Sequence, residues 1–344
     1  MSWSGTKVLV TGGASFIGSH LVDELVTLGA DVRVADNLSS GTLGNLAAHL
    51  PRKTIEFHEV NLLDPAASAR MAVGRELVFH LAADHGGRGY IDLHQVECST
   101  NLILDGVVLR AAAAAGVRKV VFASSGCVYP NHLQGNPDEM VYLTEDRVGP
   151  PYDADNLYGW AKLMAELTLR AYCEAGRLQG AALRLFTAYG PRCLENHAVM
   201  AMIARAHANQ DPFEIWGTGE QVRNWTHVSD IVAGLVLAAE KIHDGSAVNL
   251  GTMERTRVVD AAREVLATMK RQPRLAFDPS KPTGPYNRVC DNALAARVLG
   301  WKPRYAFAEG VRATVDWYCA THTSEDAARA LGALLTERKT PASL

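Results

Sequence analysis

The chain has 344 residues, 48% of them apolar and 21% charged, a balance that excludes disorder over most of its length. At roughly 150 residues per domain this length predicts about two domains, with core enough to need no disulfide or structural metal. A net charge of −3, from 34 basic and 37 acidic side chains, gives no electrostatic footprint for nucleic acid or a membrane surface. The six cysteines are scattered, with no CxxC pair and no zinc-ligand spacing, so no metal is expected. No stretch approaches the ~20 apolar residues of a membrane span, and no signal-peptide pattern opens the chain. The expectation is a soluble, cytoplasmic protein.

In chain order, residues 7–11 read as a buried strand. Residues 16–28 read as a helix, with Ile17, Leu21, Val22, Leu25, Val26 and Leu28 along one stripe. Gly29 stops that helix, and 32–36 is the next strand. Further strands fit 54–60, 78–82, 120–125 and 181–186, with helices between them that include 102–115 and 159–175. Strands alternating with helices predict right-handed βαβ units. The fold class is therefore α/β, a Rossmann-type doubly wound parallel sheet covered on both faces.

Beyond residue 186 the rhythm loosens. Tyr189-Gly190-Pro191 is turn chemistry, and 211–223 and 273–288 are rich in Gly, Pro and polar residues. The predicted organisation is a first domain over 1–186, a smaller irregular lobe over 187–318 and a C-terminal tail over 319–344. The run Val248-Asn249-Leu250-Gly251 resembles a short strand that returns to the first sheet. The tail is Ala-rich with polar ends, and it is assigned no function.

Thr11-Gly12-Gly13-Ala14-Ser15-Phe16-Ile17-Gly18 falls between the first strand and the first helix. Small residues there allow a tight turn and bring backbone N–H groups close to a pyrophosphate, which faces the positive end of the helix. Asp36 ends the second strand 18 residues beyond Gly18, where a carboxylate binds a ribose diol and repels a 2′-phosphate. Strand, turn, helix, strand and terminal Asp in that order predict dinucleotide binding, with NAD favoured over NADP. Gly12, Ser15, Phe16, Ile17, Gly18 and Asp36 are the candidate cofactor residues. Ser15 stands where a glycine would let the backbone approach; a serine is small enough to shift the site without abolishing it.

Tyr158-Gly159-Trp160-Ala161-Lys162 places a phenol and an ammonium four residues apart on one helix face. A free phenol, with a pKa near ~10, is a poor base at neutral pH; a neighbouring Lys⁺ and a cationic nicotinamide would both stabilise phenolate. Such a spacing arises readily by chance among ten tyrosines. Its weight comes from following a dinucleotide turn and a strand that ends Ala123-Ser124-Ser125-Gly126-Cys127.

With these residues together the chain resembles the extended short-chain dehydrogenases/reductases of the NAD-dependent nucleotide-sugar epimerase/dehydratase type. The resemblance runs from Thr11-Gly12 through Ala82-Ala83, Ser124-Ser125, Tyr158 with Lys162, and Tyr189-Gly190-Pro191. It continues through Trp216-Gly217-x-Gly219-x-Gln221-x-Arg223 to Arg288 and Gly300-Trp301, so it spans nearly all of 5–318. It implies that Ser125 and Tyr158 bind the sugar hydroxyl being oxidised, with Tyr158 as base. Tyr158 and Lys162 also count among the cofactor residues, Lys162 holding the nicotinamide ribose and tuning Tyr158, and Asn101 would fix the loop on the cofactor side. Arg223 and Arg288 would clamp the substrate diphosphate, a task suited to bidentate guanidinium. Asn61, Leu62 and Ala82 join the cofactor residues, Asn61 replacing the Asp that commonly contacts adenine. A homodimer formed through a helix pair that includes 159–175 is a further implication.

Family members differ in sugar chemistry. Dehydratases of this type carry an Asp-Glu pair after the strand-end Ser/Thr, where this chain has Gly126-Cys127, so dehydration is disfavoured. Two features resemble the GDP-mannose 3,5-epimerases. One is the loop Ala82-Ala83-Asp84-His85-Gly86-Gly87-Arg88-Gly89-Tyr90; the other is Ser124-Ser125-Gly126-Cys127-Val128-Tyr129-Pro130, with Cys127 at that group's base position. Oxidation at carbon 4 acidifies the hydrogens on carbons 3 and 5, so a thiolate can remove one and an acid on the opposite ring face can return it. That group's acid is a lysine; here the place holds His197, which donates protons near neutral pH. Gly87, Arg88 and Thr187 join the substrate residues, Thr187 standing where most members have Asn, as it also does in UDP-uronic acid 4-epimerases. The expected function is NAD-dependent 3- and/or 5-epimerisation of a nucleoside-diphosphate hexose, a GDP-sugar first. The alternatives are a 4-epimerase, a dehydratase and a non-catalytic nucleotide-binding protein.

Overall fold

The aliphatic runs of the first half form strands buried on both faces, as a parallel sheet requires. In the computed structural model, which describes residues 2–136, 139–333 and 335–337, strands and helices alternate from the start. They are β1 (Lys7–Thr11), α1 (Phe16–Thr27), β2 (Asp31–Asp36), β3 (Ile55–Glu59), α2 (Pro65–Ala72), β4 (Leu77–His80), α3 (Arg88–Leu93), α4 (Gln95–Ser99), α5 (Asn101–Ala114), β5 (Lys119–Ser125), α6 (Asn156–Glu174) and β6 (Gln179–Leu185). Then come β7 (Ala188–Tyr189), α7 (Ala198–His207), β8 (Phe213–Trp216), β9 (Val222–Arg223), β10 (Thr226–His227), α8 (Val228–Lys241) and β11 (Asp244–Leu250). The chain continues through β12 (Thr256–Arg257), α9 (Val258–Thr268), β13 (Leu275–Asp278), β14 (Asn287–Arg288), α10 (Ala293–Leu299), α11 (Phe307–Thr321) and α12 (Ser324–Ala333).

The central sheet has seven strands in the order β11-β6-β5-β4-β1-β2-β3, and all its pairings are parallel. One face packs Val8, Val10 and Phe79 against Leu21 and Leu25 of α1 and Ile231 and Leu235 of α8. The other packs Leu9, Val78, Val120 and Phe122 against Leu104, Val108 and Leu109 of α5 and Leu169 of α6. Strand order reverses between β1 and β4, whose last residues Thr11 and His80 lie side by side. A crevice opens at such a reversal, at the carboxyl ends of the strands.

The run at 248–251 belongs to β11, which joins the edge of this sheet beside β6. β4 ends at His80, two residues before the expected end of that strand at 82. The Leu81 and Ala82 amides turn instead to Thr11 Oγ1, both at 3.1 Å. Residues 187–318 contribute three small sheets, β10-β7, β12-β9-β14 and β13-β8. A second apolar core gathers Val199, Ile203, Phe213, Ile215, Val265 and Phe307. In the tail, α12 packs on α7; residues 334 and 338–344 lie outside the described residues. Among the described residues no helix is long and apolar enough to cross a membrane, and no His, Cys, Asp and Glu group is arranged to hold a metal.

Candidate active site

The cofactor side is built from backbone. Gly12 has φ +70°, and a Cβ there would sit 2.8 Å from Ala82 N. A Cβ on Gly18 would sit 2.1 Å from Gly12 O. Only glycine lets the β1–α1 turn close against both the β4 loop and its own helix. Ser15 occupies the N-cap of α1 but makes no side-chain cap; its hydroxyl turns 3.4 Å toward Asp36 Oδ2. The first-turn amides of α1 are therefore left without a side-chain acceptor, the arrangement that receives a pyrophosphate.

Asp36 is fixed by the Ala14 amide at 2.9 Å and the Leu38 amide at 2.8 Å. It shares a cleft with Gly12, Ser15, Asn61, Leu62 and Ala82. Asn61 Oδ1 accepts the Leu63 amide at 3.0 Å, so what Asn61 offers a purine is its Nδ2 donor. Phe16, Ile17 and Gly18 line the adjoining main cleft, which also contains Gly12 and Ser15. Positive-φ glycine, open helix end and strand-end carboxylate together fit an NAD molecule lying across the two clefts. Asn101 lines neither: its Oδ1 accepts the Asp84 amide at 2.7 Å and its Nδ2 donates to the Asp84 and Cys98 carbonyls. It pins the loop after β4.

Ser125, Cys127, Tyr158, Lys162 and His197 all line the main cleft. Ser125 ends β5; its Oγ accepts the Cys127 amide at 3.1 Å and its side chain hydrogen-bonds the Tyr158 phenol. Cys127 Sγ accepts from Arg288 Nη1 at 3.1 Å, a contact that puts a fixed positive charge against the sulfur.

Two expectations about protonation need correction. Burial, followed by the charges of Cys127, Asp105 and Cys98, pushes the Tyr158 phenol well above its ordinary value. Lys162 does not offset this: its Nζ lies over the Phe122 ring at 4.6 Å, over the Tyr158 ring only at 5.9 Å, and 3.6 Å from Asp105 Oδ2. The phenol is thus neutral at neutral pH in the protein alone. His197 faces the cleft, yet burial pushes its imidazole down to about 4. It stands at the N-cap position of α7 without a side-chain cap, where the helix dipole further disfavours a cation. It carries no charge near pH 7, against the expectation that it readily gives up a proton near neutral pH.

The main cleft also receives Gly87, Arg88, Thr187, Arg223 and Arg288. A Cβ on Gly87 would lie 1.6 Å from Asn196 O, so only glycine lets this loop seat against the start of α7. Asp155 pairs with Arg88 Nη1 at 2.6 Å and Arg288 Nη2 at 2.7 Å. Among the described residues no carboxylate lies within ion-pair distance of Arg223, which donates to the carbonyls of Val222, Tyr286 and Thr283. Burial, with the charges of Arg288 and Arg88, pushes its guanidinium down to about 9. A buried cation so placed is relieved by an anion.

Several lining residues were not singled out from sequence. The His85 ring packs tilted against the Tyr158 ring at 5.2 Å between centroids and against His197 at 5.4 Å. Asn196 Oδ1 is buried without a partner, while its Nδ2 donates to Glu337 O at 3.2 Å. Trp216 and Leu335 also face the cleft. His85 and Trp216 lay inside motifs already noticed, and a polar or aromatic side chain there was the available signal. Leu335 had none. It reaches the site because the chain folds back after α12, with Thr336 O and Glu337 Oε1 3.2 and 3.3 Å from His94 Nε2.

A sequence profile of the NAD dependent epimerase/dehydratase family matches residues 8–251. GDP-mannose 3,5-epimerase 1 of Oryza sativa subsp. japonica is 30% identical over 90% of this chain and 81% of its own. The structure of UDP-glucose 4-epimerase with UDP-glucose from Thermotoga maritima superposes with a TM-score of 0.81 at 30% identity. That match covers 91% of this chain and 99% of the other. MoeE5, solved with UDP-glucuronic acid and NAD, superposes with a TM-score of 0.79 at 29% identity, over 92% and 100% of the two chains. On sequence, fold and cofactor cleft together, this chain belongs to the NAD-dependent epimerase/dehydratase family of nucleotide-sugar enzymes.

Proposed function

We propose that the protein is an NAD-dependent epimerase that inverts carbon 3, carbon 5 or both of a nucleoside-diphosphate hexose through a transient 4-keto sugar. A GDP-hexose is the first substrate to test. The observation that carries this reading is Cys127, whose Sγ lies on the cleft wall 3.1 Å from Arg288 Nη1 and packs with Tyr158. Gly12, Ser15, Phe16, Ile17 and Gly18 would hold the pyrophosphate of NAD; Asp36, Asn61, Leu62 and Ala82 its adenosine half; and Lys162 its nicotinamide ribose. Bound there, NAD would supply the hydride acceptor for carbon 4 and, once reduced, the hydride that restores the alcohol, so that it is regenerated in each turnover.

Tyr158 Oη takes the proton of the 4-hydroxyl, which Ser125 orients. Its raised pKa makes phenolate the reactive form only once positive charge arrives beside it. With a ketone at carbon 4, the Cys127 thiolate removes a proton from a neighbouring ring carbon, and return of a proton from the opposite face inverts that centre. His197, being neutral, would return it only as a neutral N–H donor. Arg88, Arg223 and Arg288 take the diphosphate, and Gly87 and Thr187 bound the sugar. Dehydration fits less well: Gly126 and Cys127 stand where it needs carboxyl groups, and a Cβ on Gly126 would already be 3.1 Å from the Phe186 ring.

A second reading, 4-epimerisation with Cys127 only structural, is favoured by the uncharged His197, since it needs no acid on the far face. Turnover of candidate nucleotide sugars in deuterated water separates the two. Deuterium at carbon 3 or 5 supports the first; inversion at carbon 4 without exchange overturns it.

The molecule is further proposed to act as a homodimer. Leu102 and Ile103 of α5 and Leu157, Trp160 and Met164 of α6 are exposed apolar side chains on paired helices, and a second copy would cover them. Sedimentation at the mass of one 37.1 kDa chain would refute this.

A further inference from the structure

Behind the catalytic face four buried residues form a continuous chain: Thr11, His80, Asp105 and Lys162. Thr11 Oγ1 accepts the amides of Leu81 and Ala82 at 3.1 Å each, so its one hydrogen is left for His80 Nδ1, 2.7 Å away. A hydroxyl has a single proton to give, and this fixes the imidazole as the neutral Nε2–H tautomer. That N–H donates to Asp105 Oδ1 at 3.0 Å. Asp105 Oδ2 has no hydrogen-bond partner of its own and faces Lys162 Nζ at 3.6 Å. The ammonium is drawn by the carboxylate without being closed onto it.

We propose that Asp105 is a positioning residue that keeps Lys162 in its charged form and leaves it free to reach the cofactor's ribose, with Thr11 and His80 holding the carboxylate in place. The inference rests on the proposed role of Lys162 and extends it to a residue behind the site.

The groups packed around Lys162 make Asp105 the one that acts. Tyr158 lies on the same helix and is neutral. His80, from β4, reaches Lys162 only through Asp105. Glu166, one turn further along α6, is closed by Arg184 Nη2 at 2.9 Å and by the Ser124 hydroxyl. Cys98 and Cys127 lie against Tyr158. The Phe122 ring beneath the ammonium adds a weaker attraction for charge. Burial pushes Lys162 down from its ordinary value, and Asp105 is the single charge opposing that fall. Removing the carboxylate leaves burial unopposed, so the ammonium discharges as pH rises through the lowered value.

The test is NAD⁺ affinity against pH, by calorimetry on the full-length protein without sugar. The wild type should hold a nearly constant affinity from pH 6.5 to 9. Asp105→Asn should bind comparably at pH 6.5 and lose about tenfold by pH 9, one pKa unit or more of lost charge stabilisation. Asp105→Glu should restore the flat profile. A loss of the same factor at every pH, or none at all, would overturn the inference and make Asp105 structural. Should Asp105→Asn not fold, the Lys162 ε-carbon resonance of the wild type decides: an ammonium at pH 7.5 is expected, and a neutral amine refutes the idea. Failure of the proposed function reads out differently, as absent sugar turnover with NAD⁺ binding intact.

Discussion

The cleft around Asp36 and the main cleft share Gly12, Ser15, Ser40 and Ala83, but the cofactor end and the substrate end of the site are built by different means. The cofactor cleft is made of backbone: a positive-φ glycine, an open helix end, and Asp36 held by two amides. Each part follows the end of a strand in one sheet, so each is written within a few residues of sequence. The substrate pocket is made of paired charges brought from far apart. Arg288 meets Cys127 across 161 residues of chain, and Asp155 across 133. Backbone clefts are local in sequence and tolerant of side-chain change; charge-paired pockets depend on tertiary contact and fail one partner at a time.

That contrast can be broken at several points. The largest effect is expected from Tyr158→Phe, which removes the proton acceptor and should lower kcat by about 10³-fold, within the usual range for acid–base groups. NAD should stay bound, held by the β1–α1 turn, Asp36 and Lys162; steady-state kinetics alongside calorimetry would reveal any coupling.

Asp155→Asn comes next. It leaves Arg88 and Arg288 without their shared counter-charge, and loss of one partner from such a buried pair costs about 3 kcal/mol. The pH dependence has a definite sign. Burial raises the Asp155 carboxyl, but Arg288 and Arg88 outweigh it and hold it below its ordinary value. Its contribution is therefore full above the unfolded carboxylate pKa of ~3.9 and is lost as pH falls through the folded value. The gap in Tm between wild type and variant should stay constant from neutral pH to about pH 5 and shrink below ~4.

The smallest effect is expected from Leu335→Asp. A charge on the apolar wall supplied by the tail should raise KM for the nucleotide sugar roughly threefold to tenfold and leave NAD affinity untouched. An unchanged KM would place the tail outside the working pocket.

Legibility in the sequence followed the same divide. Periodicity and glycine placement located the strands of the sheet, the β1–α1 turn and Asp36, because these depend on neighbours in the chain. Tyr158 and Lys162 were findable because one helical turn separates them. The sequence did not reveal that Lys162 faces Asp105 and not the phenol, nor that His197 is uncharged, because burial and charge partners are properties of packing. His85 was visible as a residue but not as a ring packed against Tyr158. Leu335 was invisible, since nothing in an Ala-rich tail says that it folds back over the cleft.

The account depends most on the thiol beside Arg288. The direct measurement is solvent deuterium entering carbons 3 and 5 of a nucleotide hexose, in wild type and in Cys127→Ala. The wild type should incorporate label, and the variant should lose that label while still forming some 4-keto sugar. Undiminished labelling by the variant would contradict the assignment and leave Cys127 as part of the wall.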